Sequence, residues 1–389
     1  MIYNRPLARS RPPARLPSRL GPARFAPTPL TKPMPFSSLV AKIRTFPLVK
    51  VLPCLVCLAL GTLVAAKVAD PPAKQLATYA TAAVESFDAS QHDELILPFD
   101  SADRTGWHFI PKDDRKGIPL DEMNDAQRTA TLRLVRAALS EMGYRKATDI
   151  RMIEAVVAEL EGNDRRWARD PMLYYLTLFG TPSDQGTWGM SFEGHHLSIN
   201  LVCRDGEVVD STPQFMGAHP ATMPEKYAGG FSGGTRILAD EEDLGFRWLR
   251  SLDDDQRAVA IISAEAPAET RFAGKAQADV EGEPVGLAYA KMSTPSKSLV
   301  QRLVRLYVDA VAGPIAEARW QTVTKDGWDD VHVAWAGATE PGKGHYYRIR
   351  GKSFLIELVN SQPDAEGNPA NHMHCVYRDL TGDFDLPRS

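Results

Sequence analysis

Residues 188–217, WGMSFEGHHLSINLVCRDGEVVDSTPQFMG, decide the fold. Apolar and polar residues alternate through most of this stretch, which is the period of a half-buried strand. Asp205-Gly206 interrupts it with a dipeptide that tolerates positive φ, so two long strands joined by a tight hairpin are expected. Successive strand side chains point to opposite faces. Read as one strand, FEGHHLSIN therefore puts Glu193, His195, Leu197, Ile199 and Leu201 on one face and His196, Ser198 and Asn200 on the other. The second face is polar in a strand otherwise suited to burial. Buried polar groups need partners, so this face is expected to line a cavity.

The last quarter of the chain repeats the signal. VHVAWAG, HYYRIRG, SFLIELVN and HMHCVYRD read as four more strands, with a turn at Gly351-Lys352 between the middle pair. Helices are legible elsewhere. Residues 75–87 are Ala-rich and periodic. Residues 125–142 carry Leu132, Val135, Leu139 and Met142 on one stripe, with Gly143 as the expected C-cap. A further helix is expected over 149–160, and another after Asp240. Asp253 and Gln256 have capping-box spacing. Residues 296–311 are strongly amphipathic, and Gly313-Pro314 is expected to stop that helix. Blocks of strands and blocks of helices, without regular alternation, predict an α+β protein. It is expected to be an antiparallel sheet of long strands with helices packed on it and an N-terminal helical part.

The chain has 389 residues, 43% hydrophobic and 24% charged, with a net charge of −4. That balance gives no electrostatic footprint for nucleic acid. Residues 1–33 are rich in Arg and Pro with no acidic residue, which predicts disorder or a misassigned start. Residues 34–66 read as a signal peptide. Lys42, Arg44 and Lys50 form its basic region, an apolar run covers 51–66, and Val64 and Ala66 prepare a cut before Lys67. Residues 67–389 are then a single α+β domain, secreted or periplasmic, touching a membrane only if the signal stays uncleaved. Cys54 and Cys57 fall inside the signal. Cys203 and Cys375 remain, and an oxidising compartment would allow them to pair.

Histidine is scarce, nine in all, yet five lie in three strand-like places: His195, His196, His332, His372 and His374. A His-x-His pair on a strand projects two imidazoles the same way, and neutral imidazole nitrogen is a ligand for zinc, copper or iron. His372 and His374 are thus candidate ligands of one transition-metal ion. His196 is the preferred third, with Ser198 and Asn200 around it. The rival register chooses His195, backed by Glu193. Asp330 shares a strand face with His332 and could orient that imidazole as a base. Arg348 and Arg378 are candidates to hold an anionic group. Glu357 interrupts an apolar run and needs a partner if buried, which Arg348 could supply across the hairpin. Gly230-Phe231-Ser232-Gly233-Gly234 matches a nucleophile elbow, but its flanks lack the strand and helix that motif requires.

Taken in order, WHFIP, WGMSFEGHHLSIN, GAHP, LDDDQRAVAII, VHVAWAG, YYRIRG and NHMHCVYRDLTGDF resemble a family of mostly bacterial, often secreted proteins. That family is catalogued as domain of unknown function 3500. The resemblance spans about residues 90–386. It implies a domain extent and a compartment, and no reaction. His219 in GAHP departs from the expected pattern, which leaves it outside any shared site. The residues themselves point to a metal-dependent enzyme, hydrolytic or oxidative, acting on a small molecule or peptide. On this reading Glu193 or the Asp330–His332 pair moves protons, and Asn200, Arg348 or Arg378 meets substrate. The alternative is a periplasmic binding or scaffold protein without catalysis.

Overall fold

The computed structural model describes residues 72–164, 166–226, 230–364 and 366–387. The expected disordered start and signal peptide lie outside the described residues. Among the described residues, no helix is long and apolar enough to cross a membrane.

The longer helices are α1 (Pro72–Ser86), α2 (Asp125–Ala138), α3 (Glu141–Glu161), α4 (Ala239–Arg250), α5 (Asp254–Ala260), α6 (Thr294–Val308) and α7 (Gly313–Asp326). The strands are β1 (Ile96–Leu97), β2 (Ile118–Pro119), β3 (Tyr174–Phe179), β4 (Thr187–Gly194), β5 (Leu197–Arg204), β6 (Glu207–Asp210), β7 (Gln214–Ala218), β8 (Ile261–Ser263), β9 (Leu287–Ala288), β10 (His332–Gly337), β11 (His345–Arg350), β12 (Phe354–Gln362) and β13 (His372–Asp379). All join one sheet in the order β1-β3-β4-β5-β7-β13-β12-β11-β10-β8, with β2 on β3, β6 on β5 and β9 on β10. The long strands pair antiparallel as expected. The sheet is mixed, however, because β1 on β3 and β8 on β10 run parallel at its edges.

Register sorts the side chains into two chemically distinct faces. Leu197, Met216, Cys375, Leu358, Tyr347 and Trp335 form one continuous cross-strand row. All six belong to the main hydrophobic core, which the helices cover. The adjacent row reads Glu193, Ser198, Phe215, Val376, Glu357, Arg348 and Ala334. This second face is closed mainly by irregular chain, whose Trp107, Phe109 and Phe384 pack on Phe215 and Val376. A face closed by loops can bury polar side chains, because loop backbone offers them donors and acceptors.

The strand order reads the same from both ends, and the elements repeat with it. Each half starts at a capping box, Asp88 with Gln91 and Asp253 with Gln256. Each then sets a short strand parallel to a long one, β1 on β3 and β8 on β10. Each pairs a two-residue strand antiparallel on that same long strand, β2 and β9. A 3-10 turn and an N-capped helix follow, with Asn124 capping α2 and Ser293 capping α6. The contacts between halves are reciprocal. Ser140 N–H donates to the Ala310 carbonyl at 3.0 Å, and Ala312 N–H donates to the Ala138 carbonyl at 3.0 Å. The order of elements thus repeats on either side of the β7–β13 seam.

Several sequence expectations change. The helix expected over 125–142 ends at Ala138, and Ser140 caps a new one through its hydroxyl and Gly143 N–H at 3.0 Å. The helix expected over 149–160 is the second part of that α3. Gly143 is therefore no C-cap. It lies inside α3 because a Cβ there would come within 1.9 Å of the Ala310 carbonyl oxygen. The helix expected over 296–311 ends at Val308 with Asp309 as its C-cap, so Gly313-Pro314 does not stop it but opens α7, where proline suits the first turn. Cys203 and Cys375 are buried free thiols. Cys375 pairs with Met216, opposite Leu197, while Cys203 lies six residues along β5. That is about 20 Å at the rise of a strand, far beyond the reach of a disulfide.

Alanine in place of a mid-helix glycine ordinarily stabilises by about 1 kcal/mol. Here the reverse is expected. Gly143→Ala should cost about 1–3 kcal/mol by overpacking the contact between halves, read from urea melts. A more stable variant would show that the close approach at Ala310 is not what holds glycine there.

Candidate metal centre

His195 and His196 do not lie within a strand. β4 ends at Gly194 and β5 begins at Leu197, so the two histidines form the loop of a hairpin. Gly194 permits this because a Cβ there would sit 2.2 Å from the Tyr174 ring. His196 adopts φ 61°, a left-handed conformation uncommon outside glycine, though histidine is enriched there. It costs roughly 1–2 kcal/mol and is held by two backbone bonds. His196 N–H donates to the Phe109 carbonyl, and Gly217 N–H donates to the His196 carbonyl, both at 2.8 Å.

The loop swings the His196 ring over the second face of the sheet. There β13 presents His374, opposite Gly217 of β7, and His372 two residues earlier. The three Nε2 atoms converge: 2.8 Å from His196 to His372, 3.1 Å from His372 to His374 and 3.2 Å from His374 to His196. Nitrogens around a tetrahedral ion at about 2.0–2.1 Å are spaced about 3.3 Å apart. His196 and His374 are buried, and His372 is partly exposed. Gly217 makes the room. A Cβ on it would sit 3.1 Å from His374 Cδ2 and 3.2 Å from His196 Cδ2.

Surrounding groups fix these rings. Both oxygens of Glu269 lie 2.9 Å from His374 Nδ1. That pairing keeps the proton on Nδ1 and turns the Nε2 lone pair inward. Burial would raise the Glu269 carboxyl, but the bonds from His374 and Thr270 outweigh it and hold it below its ordinary value. Phe109 packs edge-on against His374 with ring centres 5.0 Å apart. His195 stacks on His196 at 3.8 Å, and its Nδ1 lies 2.6 Å from Glu154 Oε1. Burial first, and then the neighbouring histidines, push His196 and His372 well below the ordinary imidazole value. These two imidazoles thus stay neutral, as metal ligands must be.

His219, set aside in the sequence, belongs to this cluster. It follows β7 and stands beside His372, with ring centres 4.3 Å apart. It is buried, and burial pushes its imidazole down to about 4.

The other candidate residues are placed elsewhere or otherwise engaged. The hairpin loop changes the faces, so Glu193 stands opposite Ser198 and Ser191 opposite Asn200. Glu193 Oε1 is tied to Lys116 at 2.9 Å and to the Ser191 hydroxyl at 2.8 Å. Asn200 donates to Ser198 Oγ at 3.1 Å and to the Pro213 carbonyl at 2.9 Å. Asp330 and His332 are separated from the cluster. His332 aligns through Arg350 and Leu355 with Arg378, four residues from His374 and three strands across. That is about 13 Å along the strands and about 14 Å across them. Asp330 precedes β10 and meets His332 Nδ1 only through its backbone carbonyl, at 3.1 Å.

Arg378 is fully buried and spent within the fold. Its Nε bonds Asp383 at 2.8 Å, and its other nitrogens bond the Phe272 and Lys275 carbonyls at 3.1 and 2.9 Å. Arg348 does stand opposite Glu357. Glu357 also accepts from the Tyr346 hydroxyl and from Arg271 N–H. Glu269 and Glu154 went unnoticed in the sequence. Glu269 sits in an irregular stretch with no period to read, and Glu154 lies on the buried side of an ordinary helix.

With this geometry in view, the comparisons place the chain. The family model described as "Protein of unknown function (DUF3500)" matches residues 69–386, and the chain belongs to that family. No curated protein and no solved structure matches it.

Burial raises the Glu357 carboxyl from 4.5 to about 7, against the Tyr346 and Arg348 contributions. Its protonated form therefore stabilises the fold fully below pH 4.5, and that contribution fades as pH rises through about 7. Glu357→Gln is expected to remove on the order of 2 kcal/mol of this pH dependence between about pH 5 and 8. Urea melts across that range would decide it; an unchanged slope in the variant would rule Glu357 out as the source.

Proposed function

We propose that this protein is a metal-dependent enzyme, exported from the cytoplasm, with one transition-metal ion on His196, His372 and His374. The observation that carries the reading is the convergence of three Nε2 atoms within 3.2 Å of one another. With Nε2 unprotonated on all three rings, the inward lone pairs repel unless a cation sits among them. Buried polar groups in a native fold have partners, and an ion is the partner that serves all three at once.

Three protein nitrogens leave a coordination position for water or substrate. A metal there lowers the pKa of bound water and polarises a coordinated oxygen. A three-histidine set also accepts copper or iron, so the element bound decides between hydrolysis and redox chemistry. The chain's own part is to hold the rings. Glu269 keeps His374 in one tautomer, Phe109 and His195 limit ring rotation, and Gly217 leaves the space. Glu193 is held by Lys116, so on this reading it shapes the surrounding charge rather than moving protons at the ion.

The test is elemental analysis of the full-length protein purified without a histidine tag. Near one zinc, copper or iron per chain is expected. The double substitution His372→Ala/His374→Ala should abolish it. Glu269→Gln should retain the ion but weaken its affinity about 10–100-fold. Bound metal should also raise the melting temperature, since it favours the folded state alone. A parent protein that takes up none of the three metals on titration would end this reading and leave a ligand-binding protein as the better account.

A further inference from the structure

His219 Nδ1 is a buried polar atom with no hydrogen-bond partner, the only such nitrogen in this histidine cluster among the described residues. An unpaired buried group of this kind is costly and needs an explanation. Its place in the sheet supplies one. Ala218 pairs with Met373, so His219 continues β7 directly beside His372. His372 is the partly exposed member of the triad, and the buried His219 ring stands beside it. The three residues whose donor atoms all lie within 4.8 Å of one another are His196, His372 and His374, and His219 stands next to that group. Its ring centre is 4.3 Å from that of His372 and 6.3 Å from that of His196. At that range a side chain reaches what is bound to an ion rather than the ion itself.

We infer that His219 is the hydrogen-bond partner of the small anionic group coordinated at the open metal position, and so a substrate-positioning residue. The inference rests on the metal reading above. A neutral imidazole donates one N–H, and coordinated hydroxide, carboxylate and azide all present an acceptor to it. The orphaned nitrogen is then satisfied only when the metal carries its exogenous ligand.

The experiment uses the full-length protein loaded with cobalt(II) and titrated with azide, followed by visible absorption. Parent, His219→Phe, His219→Leu and His219→Gln are compared for cobalt content, melting temperature and azide affinity. His219→Phe and His219→Leu should keep their cobalt and bind azide about tenfold more weakly. His219→Gln should return to within about threefold of the parent. The leucine variant carries the same expectation where phenylalanine overpacks. A purely structural role would lower the melting temperature or cobalt content without changing the azide affinity of the cobalt that remains. Full cobalt occupancy with equal azide affinity in parent, His219→Phe and His219→Leu would overturn this inference alone. A parent that binds no cobalt would overturn the metal reading and this inference together.

Discussion

The pairing of β7 with β13 is the constraint on which the rest depends. It joins the two halves of the chain into one sheet, and its register sets which side chains meet. Met216 opposite Cys375 belongs to the core face, and Gly217 opposite His374 belongs to the other. Because side chains alternate, a slip of one residue would exchange these faces. The histidines would then point into the helices, and core residues such as Met373 would point at loops. The apolar row from Leu197 to Trp335 makes such a slip expensive, since every member would leave the core together. The geometry of the histidine cluster is thus enforced by hydrophobic burial on the opposite side of the same strands.

The two faces divide the tasks of the molecule. The helical face is an apolar interior whose largest side chains, such as Trp188, Trp248 and Trp335, are buried. The other face buries charge and is able to because irregular backbone lies over it. Arg378 illustrates the principle: it is inaccessible to solvent yet meets one carboxylate and two loop carbonyls. Glu357 is inaccessible too and accepts one bond from a loop N–H. A helix laid over that face could not have offered those groups, since its own backbone bonds are spent internally.

Much of the architecture was legible from sequence because alternation and amphipathic periods are strong signals over long elements. The C-terminal strands, the helix cap at Asp253 and the hairpin turn at Asp205-Gly206 are local signals of this kind. Legibility failed where a residue's meaning depends on a distant backbone. Gly143 reads as a helix terminus until Ala310 is placed beside it. FEGHHLSIN reads as one strand because two histidines carry no turn signal, and that error moved Glu193 to the wrong face. The histidine triad was readable as a chemical type, since His-x-His on a strand is local. Its supporting groups Glu269, Glu154 and His219 were not, because each comes from an element whose approach is decided by the fold. The internal pairing of halves was also invisible as a repeat. The halves share an order of elements but few residues, Gly117 with Gly286 and Met123 with Met292 among them.

The seam also imposes an order in time. His196 comes from the β4–β5 hairpin, whereas His372 and His374 follow it by 176 and 178 residues on β13. The cluster therefore has no partial form during synthesis. Until β13 has been made and has added beside β7, the three nitrogens are not near one another. Whatever occupies that position is acquired only after β13 has joined the sheet, wherever that pairing takes place.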